Sequence, residues 1–292
     1  MRAFHMNLLT YNANTQFPQG QLATAKQQNL RNQMTAIGAP AFDIAGFTEV
    51  GVANAANPVN VRNALDDFGT ALGIPQAVNG ARRHMAVIRC GRTALVDSNE
   101  VVALVINGNA VINYYDLIYF DRVGPANVLT SRTAPDATAN RYTSVLNIPN
   151  GAIPDYRYIV RVNFTLNGHV YDIGFVHNRA PGNDHVAVVM PWIRTMLEQG
   201  ALGLCGGDFN TSPPAGIVNG NGILLPANAH HQNAYYSPGL TTVANPYDYW
   251  IGGNAVLNAP AGGGVASAGR TAHPPAPGVT GSDHCGVWIN IA

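Results

Sequence analysis

Apolar runs of strand length recur along the whole chain, and several of them stop on a residue able to do chemistry. Met6–Tyr11 runs into Asn12, Phe42–Phe47 into Thr48 and Glu49, and Leu202–Leu204 through two glycines into Asp208. Met85–Arg89, Val101–Ile106, Asp116–Phe120, Tyr247–Ile251 and Gly286–Ile291 read as further short strands. Arg157–Leu166 and His169–Phe175 flank Asn167-Gly168, a dipeptide whose ready access to positive φ suits a two-residue hairpin turn. Asn107-Gly108 joins two more apolar runs in the same way. Between the strands lie three stretches of helical period. Gln21–Met34 is stopped by Gly38 and Pro40. Asn60–Leu72 presents Val61, Leu65, Phe68 and Leu72 on one face, and Val186–Gln199 carries Trp192 and Met196 as packing residues. Strands apolar on both faces, with helices between them, predict sheets covered by helices.

The 292 residues are 47% hydrophobic, enough for a sizeable core and against disorder as the main state. No linker-like shift in composition divides them, so 1–292 reads as a single domain. Asn258–Gly281, rich in Gly, Ala and Pro with little apolar period, reads as a flexible loop at about 258–281. Sixteen basic side chains balance sixteen acidic ones, which excludes a globally basic coat for nucleic acid while leaving room for a local basic cleft. No apolar run approaches the roughly 20 residues of a membrane span. Lys26 is the only lysine beside 15 arginines, so positive charge has been kept and amines avoided. A drift in composition would produce this. So would passage through a foreign cytosol, where lysines attract ubiquitin.

Asn12, Glu49, His177, Asp208, Asn210, Asp248, Asp283 and His284 each follow or sit beside an apolar run. Singly, each has an ordinary reading as a turn residue, a cap or a solvated strand end. Together they have a chemistry. Carboxylates and an amide make a hard, oxygen-rich site suited to Mg²⁺, and histidines beside them titrate near neutrality. With no nucleophilic Ser or Cys motif, this set points to metal-assisted attack by water on a phosphoester.

The order Leu9-Thr10-Tyr11-Asn12, Phe47-Thr48-Glu49, Phe175-Val176-His177, Gly207-Asp208-Phe209-Asn210, Tyr247-Asp248-Tyr249 and Ser282-Asp283-His284 resembles the endonuclease/exonuclease/phosphatase superfamily. The segment His177–Asp184, followed by a helical pattern, is most similar to the catalytic subunit of cytolethal distending toxins. The resemblance implies a deoxyribonuclease I-like α/β/β/α sandwich, with two mainly antiparallel sheets packed face to face and helices outside. It implies Mg²⁺, or Mn²⁺, held by Glu49 and Asp283 with Asn12. It implies catalytic roles for Asp208 and Asn210, a His284–Asp248 pair as general base, and His177 on a phosphate oxygen or the leaving group. Arg157 stands where that superfamily places a phosphate-binding arginine; Arg179, two residues past His177, is a further candidate. Members of the deoxyribonuclease I type pair the first histidine with a Glu on an earlier strand; here Asn113 and Tyr114 lie near that place.

The activity expected is Mg²⁺-dependent hydrolysis of DNA phosphodiester bonds, in a toxin or effector nuclease with delivery subunits or secretion machinery as partners. The chain would be secreted or delivered into a host or target cell; Met1–His5 lacks the pattern of a classical signal peptide, so either export uses no such signal or this is a mature form with a new start. The alternatives are a phosphatase of phosphoinositides or other phosphoesters on the same scaffold, and a non-catalytic binding module that kept the fold. Cys90, Cys205 and Cys285 show no zinc spacing; Cys205 and Cys285 flank the two metal-site motifs and read as buried thiols, with a disulfide between them open.

Overall fold

The computed structural model describes residues 1–7, 42–51, 77–78, 81–82, 84–89, 100–120, 128–133, 142–146, 158–178, 193, 196–197, 202–213, 233–236, 242, 245–253, 265–271 and 284–291. Strands are numbered in chain order: β1 (Arg2–Asn7), β2 (Ile44–Gly51), β3 (Ala77–Val78), β4 (Ala81–Arg82), β5 (His84–Arg89), β6 (Glu100–Ile106), β7 (Val111–Phe120) and β8 (Val128–Thr133). There follow β9 (Tyr142–Leu146), β10 (Tyr158–Leu166), β11 (His169–His177), β12 (Leu204–Asp208), β13 (Asn233–Tyr236), β14 (Asp248–Gly253), β15 (Val265–Arg270) and β16 (Val287–Ile291). They build two seven-stranded sheets, in the orders β15-β16-β1-β2-β6-β5-β9 and β13-β14-β12-β11-β10-β7-β8. β3 and β4 form a separate hairpin.

Both sheets are mainly antiparallel, with β1–β2 and β5–β9 parallel in one and β11–β12 parallel in the other. They pack face to face, β1 across from β12, β2 from β11 and β16 from β14. Strand alternation supplies the core between them. Val102, Leu104 and Ile106 on β6 and Val287, Ile289 and Ile291 on β16 point in from one side. Val160, Val162, Phe164 and Leu166 on β10 meet them from the other. The sandwich is the deoxyribonuclease I-like arrangement expected. Of the three helical stretches expected, Ile193, Met196 and Leu197 fall within the described residues; all three are helical and buried. The patterns at 21–34 and 60–72 lie outside the described residues.

The hairpin at Asn167-Gly168 forms as predicted: both residues take positive φ, 53° and 80°, and β10 and β11 run back to back from Leu166↔His169. Asn107 turns the chain by accepting from Ala110 N at 3.0 Å, while its side-chain carbonyl takes Asn109 N at 3.0 Å.

Two expectations need correction. The first strand begins at Arg2, four residues before the Met6–Tyr11 run, because it is pinned on both sides; residues 8–11 of that run lie outside the described residues. The strand pairs parallel with β2 and antiparallel with β16, and the terminal ammonium of Met1 donates to Ile291 O. Within the stretch 258–281 read as a loop, Val265–Arg270 forms β15 at the edge of its sheet. Its small residues leave no apolar pattern to read, but Gly269 leaves room for the Trp288 ring on the neighbouring strand. Cys205 and Cys285 are both thiols. Arg270 approaches the Cys285 sulfur at 3.7 Å, and burial raises that thiol to about 11. Among the described residues no helix is long and apolar enough to cross a membrane.

Candidate active site

The two central parallel pairs end side by side. Asn7 is opposite Thr48 at the end of β1–β2, and His177 is opposite Asp208 at the end of β11–β12. Because β1 faces β12 and β2 faces β11, four carboxyl-terminal strand ends converge at one edge of the sandwich. Antiparallel β14 begins with Asp248 opposite Asp208, and the turn before β16 delivers His284. In this way residues far apart in the sequence meet with nearly fixed backbones.

Asp208 is the hub. Its Oδ2 accepts from Asn7 Nδ2 at 2.8 Å and from Asn210 Nδ2 at 3.2 Å; its Oδ1 accepts Asn210 N at 2.9 Å. Asn210 makes that turn with φ of 49°, a left-handed conformation that Asn tolerates. Its side-chain amide also donates to Asn178 O at 2.7 Å, and Asn178 answers by donating through Nδ2 to Phe209 O at 3.1 Å. Gly207 admits this crossing of chains, since a Cβ there would collide with the Val176 carbonyl.

Three histidines surround two carboxylates. His284 Nδ1 lies 2.7 Å from Asp248 Oδ2, and its Nε2 lies 3.7 Å from Asp208 Oδ2; His177 Nε2 comes to 3.8 Å from the same oxygen. A carboxylate can only accept, so Nδ1 of His284 carries the proton and, in the neutral ring, Nε2 keeps a lone pair facing the site. His5, on β1, lies behind Asp248. All of these side chains are nearly or wholly buried. Burial, reinforced by the charge of Asp248, raises the Asp208 carboxyl to about 6 against the opposing pull of His284, His177 and the Asn210 amide. Burial likewise drives His5 down to about 3, although Asp248 acts the other way, so its imidazole is neutral at any working pH.

The structure therefore brings together His177, Asp208, Asn210, Asp248 and His284. Glu49 lies in β2, one residue beyond Thr48; its side chain is outside the described residues, as are Asn12, Arg157, Arg179 and Asp283. The amide beside Asp208 comes from Asn7, which the sequence reading passed over in favour of Asn12. Asn7 shares one face of β1 with Ala3 and His5, and nothing along that strand marks it as a site residue. Asn178 and Thr48 were also passed over, although each adjoins a residue singled out. Asn113 and Tyr114 are engaged on β10: Asn113 donates to Asn163 at 2.7 Å, and Tyr114 receives Arg161 Nη2 at 3.0 Å. Arg161 is held in turn by Asp172 and Asp116, an ion-pair cluster in mid-strand.

The donor set suits a hard cation. One ligand atom each from Asp208, Asp248 and His284 lie within 4.8 Å of one another, and two buried carboxylates face each other across β12 and β14. Asp248 Oδ2 is already committed to His284, so an ion at this edge would draw on Asp208 and on oxygen donors from the neighbouring strand ends.

No protein-family profile and no curated protein sequence matches the chain. Solved structures do match. The human Nocturnin catalytic domain with bound sulfate superposes with a TM-score of 0.55 at 14% identity, over 100% of this chain and 93% of that one. An endonuclease/exonuclease/phosphatase family protein from Leptotrichia buccalis gives 0.54 at 14% identity, over 100% and 99%. D. rerio TDP2 complexed with a single-strand DNA product gives 0.52 at 11% identity, over 100% and 98%. The chain has the fold of these proteins.

Proposed function

We propose that this chain is a divalent-metal-dependent phosphodiesterase of the endonuclease/exonuclease/phosphatase type, and that its substrate is DNA. The observation that carries the reading is a buried histidine–aspartate pair, His284 and Asp248, aimed at a second buried carboxylate, Asp208, where four strand ends converge. A histidine oriented by a carboxylate is a general base in waiting, and a carboxyl held near 6 is poised to exchange protons near neutrality. The DNA product on the D. rerio neighbour supports the choice of substrate.

In this reading Glu49 and Asp283 would hold Mg²⁺ with Asn12, and Asn7, bonded to Asp208, is a further amide at the same edge. Once bound, the ion offsets phosphate charge as it builds in the transition state. The His284 Nε2 lone pair takes a proton from water, whose oxygen attacks phosphorus as the bond to the 3′ oxygen breaks. Asp248 stabilises the imidazolium so formed. Asp208 and Asn210 place the water and the phosphate. His177 donates to a phosphate oxygen or to the leaving 3′ oxygen, and Arg157 and Arg179 grip neighbouring phosphates. A site that holds phosphates reads little sequence and is salt-sensitive.

The test is nicking of supercoiled plasmid with Mg²⁺, run beside phosphate release from a phosphoinositide. Nicking that stops in EDTA, returns with Mg²⁺ and falls about 100-fold or more in His177→Ala is the expected result. Phosphate release without nicking would move the substrate to the phosphatase class on the same residues; silence in both assays with metal bound would overturn the enzyme reading.

We extend the proposal to a toxin or effector role on two sequence features, the single lysine and the segment His177–Asp184. Changing several surface arginines to lysine should then leave plasmid nicking intact and shorten the protein's half-life inside host cells. An unchanged half-life would count against delivery into such a cytosol.

A further inference from the structure

Behind the His284–Asp248 pair stands a third imidazole that the reaction outlined above does not use. His5 is wholly buried in mid-β1, and its Nδ1 lies 3.8 Å from Asp248 Oδ1, the oxygen that His284 does not take. The carboxylate of Asp248 is thus flanked by imidazoles, His284 on Oδ2 at 2.7 Å and His5 beside Oδ1. Three contacts fix the His5 ring. Nε2 meets Thr48 Oγ1 at 3.1 Å, Phe175 stacks on its face with centroids 6.4 Å apart and planes 26° apart, and the β1 backbone is paired on both sides.

The tautomer follows from the neighbours. A lone pair on Nδ1 would face carboxylate lone pairs, so the proton belongs on Nδ1 and the Thr48 hydroxyl donates to Nε2. Among the described residues Nδ1 has no hydrogen-bond partner, so its N–H dipole is directed at Asp248 without being spent elsewhere. Burial without a partner costs about 1–3 kcal/mol, more than an ordinary core residue such as Leu would incur at the same place. Filling space does not account for that expense.

We propose that His5 is a positioning residue for the general base: its Nδ1–H restrains the Asp248 carboxylate from behind, so that Oδ2 is presented to His284 Nδ1 and Nε2 is aimed into the site. The proposal rests on the reading of His284 as that base. His5 acts on Asp248 through geometry, from the side of the carboxylate that His284 does not occupy. One strand then braces both carboxylates of the facing sheet, Asn7 holding Asp208 and His5 backing Asp248.

Three substitutions separate this role from a packing role. His5→Asn keeps a donor near the Nδ1 position, His5→Gln keeps a polar group near Nε2 alone, and His5→Phe keeps a ring for Phe175 and neither nitrogen. The expected result in plasmid nicking is a kcat lowered about 10- to 100-fold in His5→Gln and His5→Phe, with KM for DNA unchanged and most of kcat retained in His5→Asn. Proton NMR gives a readout independent of turnover. The downfield Nδ1–H resonance that disappears in His284→Ala should shift or broaden in His5→Gln and hold its position in His5→Asn. If His5→Phe fails to fold, the contrast between Asn and Gln decides alone. Equal kcat in Asn and Gln, or an unmoved resonance in Gln, overturns the positioning role. Unchanged nicking in His284→Ala would instead overturn the reading on which it rests.

Discussion

Replacing Asp208 by Asn lowers phosphodiester hydrolysis by roughly 10²-fold or more, as expected when the group that places the attacking water and the phosphate loses its charge and its geometry. The same change relieves the metal-free protein of a buried charge. Burial raises the Asp208 carboxyl from 3.8 to about 6. The sign follows from proton counting. Below the unfolded value both states are protonated and nothing is at stake. Between 3.8 and about 6 the unfolded chain ionises first, so stability falls as pH rises. Above that window the penalty levels off at roughly 3 kcal/mol. An Asn cannot keep all the bonds Asp208 makes, because Oδ1 faces the Asn210 N–H while Oδ2 faces two amide donors. One donor is left facing another, at about 1–3 kcal/mol. That loss is the same at every pH, whereas the charge term is not. In EDTA, the stability of Asp208→Asn relative to wild type should therefore improve by roughly 2 kcal/mol between pH 4 and pH 7. Denaturant melts at the two pH values measure it. A difference that stays flat would mean that the ionised Asp208 is solvated or compensated, contrary to its burial.

The strands that were legible are those whose burial is apolar and local. Asn167-Gly168 between two long apolar runs could fold in few other ways, and the runs at Met85, Val101 and Asp116 fall inside β5, β6 and β7. The strands missed are made by their partners. β15 has no large apolar residue beyond Val265, and its existence depends on the edge that β16 offers and on Gly269 making room for Trp288. β1 was displaced because His5 and Asn7 count as polar in any alternation, whereas Leu8, Leu9 and Tyr11 attract an apolar reading. Here the polar residues are the buried ones. His5 and Asn7 face into the sandwich because the site they serve is inside it.

The same physics divides the site. His177, Asp208 and Asp248 were readable because each closes or opens an apolar run, and the ordinary reading that each has singly gives way when they are taken together. His284 followed from the same reasoning through its neighbour Asp283. Asn7 and His5 have no such marker. Their roles exist only across the sheet interface, Asn7 at 2.8 Å from Asp208 and His5 at 3.8 Å from Asp248, and no pattern along one strand encodes a contact with the other sheet. Asn210 lies between these cases. Its place two residues after Asp208 suggested an Asx-turn, and its φ of 49° with a 2.9 Å bond to Oδ1 is that turn, with the side-chain amide left to tie down Asn178.

Trp250 carries the second large effect. It is nearly wholly buried in the core between the sheets, two residues along β14 from Asp248 and opposite Gly206 on β12, itself two residues before Asp208. Its indole lies over Gly206, where a Cβ would collide with the ring, and meets Phe175 edge-on with centroids 6.0 Å apart and planes at 74°. Trp250→Ala should cost about 3–5 kcal/mol through lost burial and the cavity left behind. Gly206→Ala should cost about 1–3 kcal/mol by the opposite route, overfilling the same space. The two are coupled, because the methyl added by one enters the void opened by the other. The double variant should therefore lose at least about 1 kcal/mol less than the sum of the single losses. Denaturant unfolding of the four proteins closes the cycle. Simple addition would mean that the backbone at Gly206 yields to the new methyl and that the ring does not set the sheet spacing there. Below its melting point, Trp250→Ala should also lose activity beyond its unfolded fraction. Asp208 and Asp248 are held apart by the strand pair that the indole wedges, and with it goes the spacing across which His284 reaches from one carboxylate to the other.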